Sequence, residues 1–104
     1  MRSAIYVYEA TTLTIKASED GLELEPLDRS QAPVALTRWT QLPLRSGIYR
    51  VMSTAAIEVS GPYIDTALNI ADTDDWPDPP GRVTASFAIT EERLREFFAA
   101  KQTP

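Results

Sequence analysis

The chain predicts a mainly β fold: an antiparallel β-sandwich, or an open barrel, of seven to eight short strands, with one C-terminal α-helix packed on a sheet. Three observations predict it. Apolar and polar residues alternate in short runs along most of the chain, the period of a half-buried strand. Turn residues such as Asp20-Gly21, Gly47 and Gly61-Pro62 break those runs at short intervals. A helical pattern occurs only at the end. With 104 residues, 43% of them hydrophobic and 24% charged, the chain suits one domain over residues 1–104 with one core.

The elements follow in order. Ile5 and Val7 alternate with Tyr6 and Tyr8, so both faces of the first strand carry bulk, and it belongs centrally or under a loop. Leu13, Ile15 and Ala17 alternate with Thr12, Thr14 and Lys16; Leu22 and Leu24 alternate with Glu23 and Glu25. Ser18-Glu19-Asp20-Gly21 lies between them and tolerates positive φ, so residues 12–25 read as a β-hairpin with one wet face. Pro26 to Pro33 reads as a loop, 34–37 as a short strand, and 38–46, with Pro43 inside it, as irregular. Strands follow at 48–53, from Ile57 to the stop at Gly61-Pro62, and at 64–70.

Residues 71–81, Ala-Asp-Thr-Asp-Asp-Trp-Pro-Asp-Pro-Pro-Gly, suit neither helix nor central strand, because proline lacks an N–H and fixes φ. A stiff exposed loop is expected there. Val83, Ala85, Phe87 and Ile89 then alternate as a last strand. Thr90 suits an N-cap, Glu91 and Glu92 suit the positive end of a helix dipole, and Leu94, Phe97 and Phe98 form an apolar stripe, so the chain closes with a helix. Leu44-Arg-Ser-Gly47-Ile-Tyr49-Arg-Val51 resembles the L-x-x-G-x-Y-x-V strand opening of prealbumin-like β-sandwich modules. The resemblance spans eight residues and implies a sandwich, with no function attached.

Composition excludes several chemistries. There is no cysteine and no histidine, which removes disulfides, thiolate nucleophiles, Ser-His-Asp triads and the usual zinc ligands. The lack of disulfides points to a reducing compartment, the cytoplasm. The N-terminus does not read as a signal peptide, and no apolar run is long enough to span a membrane. No phosphate-binding glycine loop or nucleophile elbow occurs, so the chain is expected not to be an enzyme.

Net charge is −5 and unevenly distributed. Residues 29–57 carry Arg29, Arg38, Arg45 and Arg50 and no acid, whereas residues 58–81 carry six acids and no base. An acidic chain without a lysine cluster is not expected to bind nucleic acid.

The Asp-Trp-Pro segment supplies the main functional candidates. Asp72, Asp74, Asp75 and Asp78 invite a calcium test, but Pro77 stands where a calcium loop needs glycine and Val83 where it needs a bidentate glutamate. No metal or other cofactor is therefore expected, beyond an irregular edge site. As a recognition loop the segment is better suited: its prolines limit the entropy lost on binding, Trp76 is the hot-spot residue type, and the aspartates steer a basic partner. The expected function is non-catalytic protein binding, as in a small inhibitor, immunity-type protein or assembly component. Trp76 is the anchor, and Arg38, Arg45 and Arg50 form a second surface. The alternative is a small ligand-binding sandwich for sugar or calcium, with Trp39, Tyr49, Tyr63 and Trp76 as platforms for sugar. An open sheet edge offers a route to a homo-oligomer.

Overall fold

The computed structural model describes residues 2–26, 32–52 and 55–71. The acidic loop, the last strand and the C-terminal helix expected above lie outside the described residues. Eight strands are present: β1 (Arg2–Val7), β2 (Thr11–Ala17), β3 (Leu22–Pro26), β4 (Val34–Leu36), β5 (Trp39–Leu44), β6 (Gly47–Met52), β7 (Ile57–Ser60) and β8 (Ile64–Ile70). They form two antiparallel sheets, one of five strands in the order β4-β3-β6-β1-β8 and one of three in the order β5-β2-β7. No helix occurs among the described residues, and so none there could cross a membrane.

One cluster of buried side chains joins the sheets. Ile5, Val7, Leu22, Leu24, Leu36, Tyr49 and Val51 come from the larger sheet, and Leu13, Ile15, Leu42, Leu44 and Ile57 from the smaller. The cluster follows from period-2 alternation, since residues two apart share a face.

β1 pairs with both β6 and β8, so it is the central strand its bulky faces suggested. All six of its residues are buried, including Arg2 and Ser3.

The hairpin expected over residues 12–25 does not form. Both strands exist, but β2 pairs with β5 and β7, while β3 pairs with β4 and β6. Ser18 to Gly21 carries the chain from one sheet to the other, with Gly21 at φ 87. Alternation says which residues face inward; it does not say which strand supplies the hydrogen bonds. Leu13 and Ile15 oppose Leu22 and Leu24 through the core instead of lying beside them.

The segment read as irregular contains β5. Pro43 misled that reading. The bond from Ala17 N to Arg38 O (3.0 Å) extends the β2–β5 register by one pair, so residues 40, 42 and 44 direct their backbone polar groups to β2. Pro43 lies at an alternate position, where its missing N–H would have faced away from β2.

Two details join the sheets at their ends. The register of β8 on β1 shifts between Arg2 and Ala4, which marks a bulge, and Asn69 adopts φ 57 there. Its amide accepts from Ile57 N (2.9 Å) and donates to Ile57 O (3.1 Å), as a neighbouring strand would, while its own N–H donates to Ser3 Oγ (2.8 Å). At the other end, Gly61 has φ 155, and a Cβ there would lie 2.5 Å from Leu13 Cδ2 and 3.1 Å from Thr12 O.

Candidate functional site

Among the described residues, the outer face of the three-stranded sheet is the exposed surface with the most chemistry. β5 contributes Trp39, Gln41 and Pro43, all exposed; β2 contributes Thr12, Thr14 and Lys16; β7 contributes Glu58 and Ser60. Register aligns them into rows. Trp39 lies across from Lys16, and Lys16 across from Glu58. Gln41 lies across from Thr14, and Thr14 across from Ser60; Pro43 lies across from Thr12. Side chains directly opposite have Cβ atoms about 4.5–5.5 Å apart, so each row is one continuous strip.

Trp39 is 56% exposed. Its surroundings are ordered by the turn before β5. Thr37 N donates to Thr40 Oγ1 (2.9 Å), the Thr37 hydroxyl donates to Trp39 O (2.7 Å), and Arg38 N donates to Asp20 Oδ1 (2.9 Å). The same contacts blunt the β5 edge. The Trp39 carbonyl, at an outward position, is occupied by Thr37, and Pro43 offers no donor.

At the far end of the face lies an open depression of about 380 Å³, lined by Ala10, Thr11, Thr12, Pro43, Leu44 and Arg45. Thr12 and Pro43 belong to both the depression and the sheet face. Arg45 is exposed, and it makes no ion pair among the described residues. The Tyr49 hydroxyl donates to Arg45 O (2.8 Å) and so fixes the backbone of this turn from the core side. From Trp39 to Arg45 the face runs about 20 Å, at some 3.3 Å per residue.

The arginines expected to share a surface are separated. Arg38 and Arg45 flank opposite ends of β5. Arg50 lies in the other sheet, 5% exposed, and its guanidinium donates to Glu25 Oε2 at 2.7 Å. Trp76, Asp72, Asp74, Asp75 and Asp78 lie outside the described residues. Ala71, which precedes them, is two residues beyond Asn69 and therefore near the end of the sandwich that carries Ile57, Ala17 and Arg38. Among the described residues, no group of three or more acidic side chains is placed to hold a metal ion.

The aromatic platforms divide as well. Tyr49 is 3% exposed and belongs to the core. Tyr63 is 58% exposed and sits at φ 60 in the turn before β8. A second polar group lies on the other face of the larger sheet, where the Tyr8 hydroxyl donates to Asp65 Oδ2. Burial, with a smaller contribution from Tyr8, pushes the Tyr6 hydroxyl up to about 12, so it stays protonated and is no base at neutral pH.

Thr12, Thr14 and Lys16 were legible in the sequence as a wet strand face. Trp39 and Arg45 were legible as separate candidates and 57–60 as a strand, but their assembly on one face was not, because Pro43 hid the strand that brings Trp39 and Gln41 beside β2. No family model matches the chain, and no curated protein or solved structure shows a significant match to it.

Proposed function

We propose that this chain is a non-catalytic binding domain whose ligand is an oligosaccharide laid across the outer face of the three-stranded sheet. The observation that carries this reading is the composition of that face: one exposed indole and a lattice of hydroxyl, amide, ammonium and carboxylate groups, with no aliphatic side chain except Pro43. A sugar ring presents the matching pair of surfaces, a C–H face that stacks on an aromatic ring and a rim of hydroxyls that donate and accept. A stable protein interface ordinarily has an apolar centre, which this face lacks. The test is calorimetric titration of wild type and Trp39→Ala with a panel of soluble glycans. Binding lost in Trp39→Ala, with folding intact, supports the reading; absence of binding to every glycan removes it.

The second reading is protein binding through the acidic loop, with Trp76 as anchor and Asp72, Asp74, Asp75 and Asp78 steering a basic partner. It is favoured by the position of Ala71, which starts that run near the end of the sandwich holding Arg38 and Trp39. Trp and Arg are the residue types most enriched at interface hot spots. Affinity capture from the source cells with wild type and Trp76→Ala tests it: a partner retained equally by both proteins would exclude the loop. A homo-oligomer built by strand addition at β5 is disfavoured by Pro43 and Thr37. A cysteine-free chain fits a reducing, cytoplasmic setting.

The C-terminal helix belongs to the same proposal, packed on the second face of the five-stranded sheet. That face is buried at its centre: Arg2, Ala4, Tyr6, Ile48 and Arg50 are each at most 5% exposed, and Ala4, Tyr6 and Ile48 are not part of the core shared by the two sheets. Truncation after Ile89 should then lower the melting temperature and return the Tyr6 hydroxyl toward its ordinary value.

A further inference from the structure

We infer that the depression at the far end of this face is a subsite for an acidic sugar, so that the preferred ligand is a uronate-bearing oligosaccharide; the inference rests on the glycan reading above. The argument starts from continuity. Thr12 and Pro43 form the Pro43–Thr12 row of the sheet face and also line the depression, so a chain lying along the β2–β5 pair from Trp39 reaches the depression at that row.

The end of that track differs from its middle. Along the rows, Lys16 stands directly opposite Glu58, so a charge of each sign lies side by side there. At the depression, Arg45 contributes a positive charge that makes no ion pair among the described residues, beside the hydroxyl-bearing Thr11 and Thr12. A guanidinium holds a carboxylate through two parallel charge-assisted hydrogen bonds, and threonine hydroxyls supply further donors. Arg45 begins that task partly preorganised, because the Tyr49 hydroxyl holds its carbonyl and leaves the side chain exposed. A neutral sugar would leave the charge without a counterpart; a carboxylate on the ring supplies one. The spacing adds a length requirement: stacking on Trp39 and pairing with Arg45 are about 20 Å apart, so one sugar ring cannot do both.

The test uses the full chain and titrates oligogalacturonate, alginate and hyaluronan fragments, each against its methyl-esterified, uncharged counterpart. The expected result is at least one acidic glycan bound about tenfold more tightly than its ester, the size of one good charge-assisted contact. Arg45→Gln should abolish that preference by bringing the acid down to the affinity of the ester, whereas Trp39→Ala should weaken acid and ester alike and keep the preference. Melting curves check that the Arg45 variant folds. Equal affinity for acid and ester, or an acid preference that survives in Arg45→Gln, overturns the subsite while leaving the glycan reading standing. No binding to any glycan, neutral or acidic, overturns both.

Discussion

The two sheets share one core and differ in what they do with their other face. In the three-stranded sheet every outward position is polar or exposed, and the inward positions Leu13, Ile15, Leu42, Leu44 and Ile57 are buried. In the five-stranded sheet the central strands are buried on both faces, and the second face encloses Arg2, Tyr6 and Arg50. One sheet spends a face on solvent and keeps it available for a ligand. The other holds polar groups in a poorly hydrated setting, where each needs a partner and its chemistry is constrained. The binding we propose therefore falls on the smaller sheet, and stability is expected to be more sensitive to polar substitutions on the larger.

The contrast predicts a graded set of mutational effects. The largest effect is expected where the sheets are joined. Asn69→Ala removes both amide bonds to Ile57 and leaves an alanine at φ 57, which should reduce stability by about 3 kcal/mol in urea unfolding. A loss under 1 kcal/mol would mean that the sheets hold together by side-chain packing alone. Gly61→Ala drives a methyl group against fully buried Leu13 and the Thr12 carbonyl, for an expected loss of about 2 kcal/mol.

Next come the enclosed polar groups of the larger sheet. Arg50→Ala should lose about 2 kcal/mol, because it empties the space of the buried side chain and leaves the Glu25 carboxylate in a half-buried site without this cation, whereas Arg50→Met, which removes the same cation but refills much of the space, should lose about 1 kcal/mol. Equal losses in the two variants would show that Arg50 acts by charge and not by filling space. Tyr6 adds a pH dependence. Its hydroxyl ionises near 10 in the unfolded chain and about 12 in the fold, so above pH 10 the unfolded state releases a proton that the native state retains. Stability is complete below pH 10 and falls as pH rises toward 12. Thermal melts across that range should show the fall, and Tyr6→Phe should reduce its slope. The smallest effects are expected on the exposed face. Gln41→Ala and Thr14→Ala should each change stability by no more than about 0.5 kcal/mol while weakening glycan binding. Substantial destabilisation by either would mean that the face is structural.

The amino-acid sequence by itself determined the strand-rich class, the inward residues of most strands, and the turns at Gly21 and Gly61. These depend on a period of two and on φ preferences, both local properties that a few neighbouring residues express. The composition also leaves this chain without thiol or imidazole groups. Which strands pair is a property of the folded chain as a whole. β2 and β3 are adjacent in the chain and complementary in pattern, yet lie in different sheets, because pairing is settled by hydrogen bonds to strands between 10 (Leu24 to Val34) and 46 (Thr14 to Ser60) residues away. That same choice turned Pro43 from a strand breaker into an edge residue, buried Arg50 against Glu25, and set Trp39 beside Lys16 on an open face. The site was illegible for one physical reason: its residues come from three strands whose proximity is created by folding and by nothing local to any of them.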